Sequence, residues 1–265
     1  MGFPPLLAVF LLAMTTTYAQ EPVRLYAAGS LRAALSEAGN AFRDKTGIPV
    51  AGTFGASGLL KGRIENGEPA QVFASANMEH PQALEKSGKS GPVRLFARNR
   101  LCALAGPGVR VDEGGLLERM LDPAIRLGTS TPKADPSGDY AFDLFAKADV
   151  LRPGARALLE RKALKLTGGP DSPQPPKGRS LYGMLVAERK ADIFLTYCTN
   201  ALQAKAENAA LQIVTIPAAL AVGADYGLTV MRDAPAQARE FADFILSRQG
   251  QAILGKHGFS PGDAK

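Results

Sequence analysis

The chain has 265 residues, with 31 Lys plus Arg against 25 Asp plus Glu for a formal net charge of +6, which is enough length for one large domain or two modest ones. The basic residues are scattered, and the absence of a basic run interleaved with aromatics excludes an ordinary nucleic-acid surface. The two histidines, His80 and His257, stand alone without acidic or cysteine neighbours at ligand spacing, which argues against a metal-cation site and against Ser-His-Asp chemistry.

Residues 1–19 are expected to be a signal peptide. Their apolar run from Leu6 to Met14 is shorter than the roughly 20 residues of a spanning helix, and Thr17-Tyr18-Ala19 fits a cleavage site before Gln20. The mature chain is therefore expected to be soluble and exported, to a bacterial periplasm. From residue 23 the pattern becomes a strand–serine–helix unit that occurs twice. VRLYAA runs into Gly29-Ser30 and a helix-period segment from Leu31 to Lys45; PVAGTF runs into Ser57 and a helix from Leu59 to Asn66. A serine in that place either caps the helix or presents its hydroxyl, with the unpaired first-turn N–H groups, to an anion. Two such ends at the carboxyl edge of one sheet would cradle a small anion.

AQVFASA then reads as a strand, Pro81 to Ser87 as a short helix, and residues 93–105 as extended chain. A helix from Gly115 leads into the strand IRLGTS and a loop over residues 131–138. Helical spacing returns from Tyr140 to Ala148 and from Pro153 to Leu164. TGGPDSPQPPKGR, dense in Pro and Gly, cannot form a regular element. A helix over Ser180 to Arg189, the strand ADIFLTY, a helix after Thr199-Asn200 and the strand LQIVTI follow. YGLTVM is expected to return to the first sheet, and Ala236 to Lys256 closes the chain in helix. Alternating strands and helices indicate an α/β fold with mainly parallel sheets. Cys102 and Cys198 lie in apolar runs where a cysteine is usually a small buried hydrophobe; an oxidising compartment could also pair them, and the pattern favours the unpaired reading.

The set AAGSLRAAL, FGASGLLKGRIENGEPAQVFASA, ADIFLTYCTNA and LGKHGF resembles the periplasmic molybdate-binding proteins of the ModA type, over nearly the whole mature chain. The resemblance implies a type II periplasmic binding fold. Residues 20–100 with 221–265 would form one lobe, residues 101–220 the other, and hinge strands would join them. It implies a monomer that binds molybdate, and tungstate with it, and hands it to the permease of an ABC importer, with no cofactor. By position, the ligand contacts fall on the hydroxyls of Ser30 and Ser57, a backbone N–H at Ser137, a backbone N–H at Arg179 or Ser180, and the hydroxyl of Tyr197. The chain departs from the family by Ser137 in place of alanine, by Asp139, by Lys177 and Arg179, and by Asn200 in place of aspartate.

Read from residue chemistry alone, Tyr197 could equally be core. Asp139 could serve the helix dipole or accept a ligand proton, and Arg179 could be solvated or reach the cleft. Sulfate or an organic acid remains an alternative ligand. An enzyme on the same fold would need a placed acid–base pair, for which Asp139 with Arg179 is the available candidate.

Overall fold

The computed structural model describes residues 20–262 apart from Gln174 and Lys177, so the proposed signal peptide and Lys177 lie outside the described residues. The chain order begins β1 (Val23–Ala28), α1 (Arg32–Thr46), β2 (Val50–Gly55), α2 (Ser57–Glu65), β3 (Val72–Ser75), α3 (Glu79–Lys86) and β4 (Arg94–Ala105). It continues through α4 (Leu116–Leu121), β5 (Leu127–Ser130), α5 (Pro136–Leu151), α6 (Ala155–Lys162), β6 (Leu164–Thr167), α7 (Leu181–Ala187), β7 (Ile193–Tyr197) and α8 (Cys198–Glu207). It closes with β8 (Gln212–Thr215), β9 (Gly223–Val230), α9 (Ala236–Leu246), α10 (Arg248–Lys256) and β10 (Ser260–Pro261).

The strands form one continuous path, β2-β1-β3-β9-β4-β7-β5-β6, with β8 and β10 also paired to β4. Strands linked through helices run parallel: β1 with β2 and β3, and β5 with β6 and β7. The sheet is mixed rather than mainly parallel, because β4 pairs antiparallel with β7, β8, β9 and β10, and β9 also pairs antiparallel with β3. The return of YGLTVM to the first sheet is seen in β9, whose Val230 to Gly227 pair with Val72 to Ser75.

Core packing follows the helical period. Leu35, Ala38 and Phe42 of α1 are buried, and the Phe42 ring meets Phe241 and Phe244 of α9 at 5.2 and 5.7 Å. Two local readings needed correction. α5 begins at Pro136, within the expected loop, because Pro at the first helical position loses no hydrogen bond and Asp135 caps it. Leu164–Thr167 is a strand rather than the end of a helix, since α6 stops at Lys162 and the segment pairs with β5.

The expectation of two unpaired thiols is overturned. Cys102 and Cys198 form a disulfide with Cα atoms 4.9 Å apart. In the antiparallel β4–β7 ladder Cys102 stands opposite Thr196, and Cys198, the first residue of α8, reaches it where the chain leaves β7 and α8 packs on β4, a contact that local hydrophobicity does not encode. The bond closes a loop across a sequence separation of 96. Chain-entropy arguments put such a loop at about 4–5 kcal/mol of stabilisation, less native strain. Replacing both cysteines by Ser should lower the melting temperature by several degrees while preserving the far-UV circular dichroism; an unchanged melting temperature would assign the bond no stabilising role.

Candidate functional site

β1 and β2 run parallel with Ala28 opposite Gly55, so the segments carrying Ser30 and Ser57 leave the sheet side by side. Neither serine caps its helix. Ser30 sits inside the tight turn Gly29–Leu31, and Ser57 is the first residue of α2, whose N-cap is Ala56. A cap must stand one residue before the helix with extended backbone, and neither does. Both hydroxyls have distant partners instead. Ser57 is 1% exposed and its Oγ accepts the Ala76 N–H at 3.1 Å. Ser30 Oγ lies 3.0 Å from Oη of Tyr226 on β9.

Residues beyond the middle of β4 come directly onto these helix ends. The Gly58 N–H donates to the Ala134 carbonyl at 2.9 Å, and a Cβ at Gly58 would lie 2.5 Å from the Lys133 carbonyl oxygen, so this approach requires glycine. Tyr140 Oη donates to the Ala76 carbonyl at 3.3 Å. Tyr197, at the end of β7, packs edge-on against Tyr140 and Tyr226, with centroids 6.3 and 5.6 Å apart. Ser57 is thus linked through Ala76 to Tyr140, and Ser30 through Tyr226 to Tyr197. Two polar atoms in this cluster, Ser137 Oγ and Tyr197 Oη, are buried with no hydrogen-bond partner among the described residues. Leaving such a group unpaired costs about 1–3 kcal/mol, so two of them together point to an occupant.

The backbone donors expected on this side are already engaged. The Ser137 N–H donates to Asp135 Oδ1 at 3.0 Å, and the Gly138 N–H to the Asp135 carbonyl at 2.8 Å. Pro136 has no N–H, so the polar group left without a partner in the first turn of α5 is the Ser137 hydroxyl and not the expected amide. The Ser180 N–H donates to both carboxylate oxygens of Glu207 at 2.8 and 2.9 Å, while Ser180 Oγ caps α7 by accepting from Gly183. Arg179 pairs with Glu207 at 3.1 Å, and its side chain is 59% exposed. Asp139 accepts the Lys133 N–H at 2.7 Å, and Asn200 donates to Thr196 Oγ1 at 3.0 Å. These carboxylate-to-amide contacts span up to 27 residues, which is why spacing alone did not reveal them.

Asp135 is the residue that motif reading missed, although its place before Pro136 is an N-cap signal. Its side chain packs under Gly168, where a Cβ would come within 2.4 Å of the Asp135 Cβ. Residue 168 also has φ +78°, so glycine is needed there on both counts. Enclosure by protein pushes the Asp135 carboxyl up to about 6, against the bond from Ser137 and with the nearby Asp139 adding to the rise. Burial likewise raises Tyr197, Tyr226 and Tyr140, so all three phenols remain protonated donors at neutral pH.

The family model for bacterial extracellular solute-binding proteins matches residues 23–260. The chain belongs to that family. An uncharacterized protein of Pasteurella multocida is 36% identical, over 90% of this chain and 98% of the relative. The molybdate-binding protein ModA of Mycobacterium tuberculosis is 24% identical, over 92% of this chain and 86% of its own length. The periplasmic molybdate-binding protein of Azotobacter vinelandii superposes with a TM-score of 0.72 at 19% identity, covering 90% of this chain and 98% of that one. The sulfate-binding protein SubI of Mycobacterium tuberculosis superposes at 0.75, also at 19% identity, covering 92% and 88%. The fold is therefore that of the two-lobed periplasmic binding proteins, and the family and these neighbours are substrate-binding proteins.

Because the Asp135 carboxyl rises from 3.8 to about 6 on folding, the folded chain holds this proton more tightly than the unfolded one. Its contribution is present below about pH 4 and is lost as pH rises through about 6. Asp135→Asn keeps an oxygen to accept the Ser137 N–H but removes the charge. Above pH 7 the variant should be more stable than the parent by roughly 1–3 kcal/mol, with the gap closing below pH 4. Urea titrations at several pH values check this, and a gap independent of pH would refute it.

Proposed function

We propose that the protein is the periplasmic substrate-binding component of an ABC importer. It binds a tetrahedral oxyanion, molybdate and with it tungstate, between lobes formed by residues 20–100 with 221–265 and by residues 101–220. The observation that carries this reading is the pair of buried, unpartnered hydroxyls of Ser137 and Tyr197, linked through Tyr140 and Tyr226 to the Ser57 and Ser30 hydroxyls. Ser57 Oγ already accepts from Ala76, so its proton is free to donate. A set of neutral donors suits a ligand that carries only acceptors, because bonds to a charged acceptor are about twice as strong as neutral ones. It also spares the several kcal/mol that burying each full cation would cost. The exported chain then acts as a monomer that presents its anion to a membrane permease.

Sulfate is the second reading, since it offers the same acceptors and a sulfate-binding protein shares the fold. An organic acid fits less well, because the guanidinium best suited to a planar carboxylate, that of Arg179, is paired with Glu207. The acid–base pair that an enzyme would need is also divided: Asp139 is bound to the Lys133 amide and Arg179 to Glu207.

Calorimetry of the stripped mature protein against molybdate, tungstate, sulfate, phosphate and citrate tests the assignment. Molybdate should bind, and Ser30→Ala and Ser57→Ala should each weaken it. A hydrogen bond to a charged group contributes about 1.5–3 kcal/mol, so each loss should be roughly ten- to a hundredfold in affinity. Absence of binding to any oxyanion, or serine variants with unchanged affinity, would sink the reading.

A further inference from the structure

Asp139, one of the chain's departures from the ModA pattern, reaches back from α5 to accept the Lys133 N–H at 2.7 Å. Lys133 has φ +67°, a left-handed backbone that a lysine adopts only at a cost. Such a conformation persists where its surroundings over-determine it, and residues 131–135 are tied from several directions. The Thr131 N–H and Oγ1 both donate to the Thr167 carbonyl on β6, at 2.8 and 2.9 Å. The Asp135 N–H closes the turn on the Thr131 carbonyl at 3.0 Å. Beneath the turn, a Cβ at Gly138 would lie 2.6 Å from Pro132 N and from Thr131 C, so α5 packs against it with no room for a side chain.

This rigid turn presents backbone oxygen to α2. The Ala134 carbonyl accepts the N–H of Gly58, the second residue of α2, at 2.9 Å. An amide in that place has no partner within its own helix, and the N-cap Ala56 makes no side-chain bond to the first turn. The carbonyl also brings its negative end to the positive end of the helix dipole. Gly58 lies within residues 20–100 and Ala134 within residues 101–220, so a helix of one proposed lobe is capped by the other. Tyr140 Oη, donating to the Ala76 carbonyl at 3.3 Å, is a second bond between the same two units.

We propose that residues 131–135 form a latch that docks on α2, with Asp139 as the positioning residue that holds its shape, so that the latch sets the affinity for every anion by one common factor. The inference rests on the two-lobed oxyanion reading above and deepens it. Apparent affinity is the intrinsic affinity scaled by the fraction of protein in the binding-competent, closed form. The Gly58–Ala134 bond exists only when the two units meet, so its free energy belongs to closure and not to any ligand contact. Molybdate and sulfate gain from it alike. A direct contact, by contrast, acts on each anion according to its size and oxygen positions.

The test is calorimetry of the full mature protein and three variants against molybdate and sulfate. Asp139→Asn keeps an oxygen for the Lys133 N–H and Asp139→Ala does not, while both remove the charge, so their difference isolates the bond. Asp139→Asn should bind each anion about tenfold more tightly than Asp139→Ala, the equivalent of one modest hydrogen bond. Gly58→Ala sets a methyl 2.5 and 2.8 Å from the Lys133 and Ala134 carbonyl oxygens in the closed arrangement. It should weaken both anions by the same factor, about tenfold or more, and small-angle scattering at saturating molybdate should give it a larger radius of gyration than the parent. Equal affinities of the two Asp139 variants, or a Gly58→Ala protein that binds as the parent does, overturn the latch. A loss that falls on one anion and spares the other also overturns it, since that marks a ligand contact. Where Gly58→Ala does not fold, or the parent binds one anion alone, the Asp139 pair decides. A parent that binds no oxyanion overturns the oxyanion reading and this inference with it; a parent that binds, with invariant variants, overturns the latch alone.

Discussion

Strand β4 hydrogen-bonds along residues 94–100 to β9 and along residues 101–105 to β7 and β8, and the rest of the molecule is hung on that one twelve-residue ladder. Both sets of parallel strands reach it through antiparallel neighbours. The middle of β4 is where the polar groups of the site collect. Asn99 holds Thr199 and Tyr226, and Leu101 stands opposite Tyr197. One residue further on, Cys102 is bonded to Cys198, the residue after Tyr197. The position of Tyr197 is thus set by a ladder pair and by a covalent bond at its neighbour, which keeps an otherwise costly buried hydroxyl in place.

The candidate site is built of hydroxyl and backbone groups, and its carboxylates are engaged by the chain's own amides. Beside the hydroxyl cluster Asp135 and Asp139 carry carboxyls, and each accepts a backbone N–H of the chain, from Ser137 and from Lys133. The positive balance of the whole chain, +6, belongs to the surface, where it favours anion approach and is screened by salt. The basic residue that the family resemblance brings to the site, Arg179, is paired with Glu207, and the same carboxylate occupies the Ser180 amide. Two of the anion-binding amides implied by the family resemblance are thereby bound to carboxylates of the chain itself. The serine found in place of alanine at residue 137 supplies a hydroxyl beside the amide that Asp135 has taken. Substitution and loss therefore make sense together, as an exchange of one donor for another.

What was legible in the sequence follows from local rules. The strand–serine–helix units, the order of elements and the return of residues 226–231 to the first sheet all leave a trace in apolar period and in glycine and proline placement, because burial of one face is decided within a few residues of chain. The partners of polar atoms leave no such trace. Ser30 and Tyr226 are 196 residues apart, and Ser57 and Ala76 are 19 apart, so nothing near either serine told a cap from a tertiary contact. The strand Leu164–Thr167 was missed because its alternation is too short to separate from a helix end, and Asp135 because a capping carboxylate reads as structure until its burial is seen. By itself the sequence determined an α/β chain with two serine-bearing helix starts on one sheet. Only the tertiary structure decided that Ser57 accepts the Ala76 N–H and Ser30 meets Tyr226, that the cysteines are joined, and that two expected amide donors are spent, because each of these depends on which distant groups the antiparallel crossing at β4 and the long contacts around it bring within hydrogen-bonding or bonding reach.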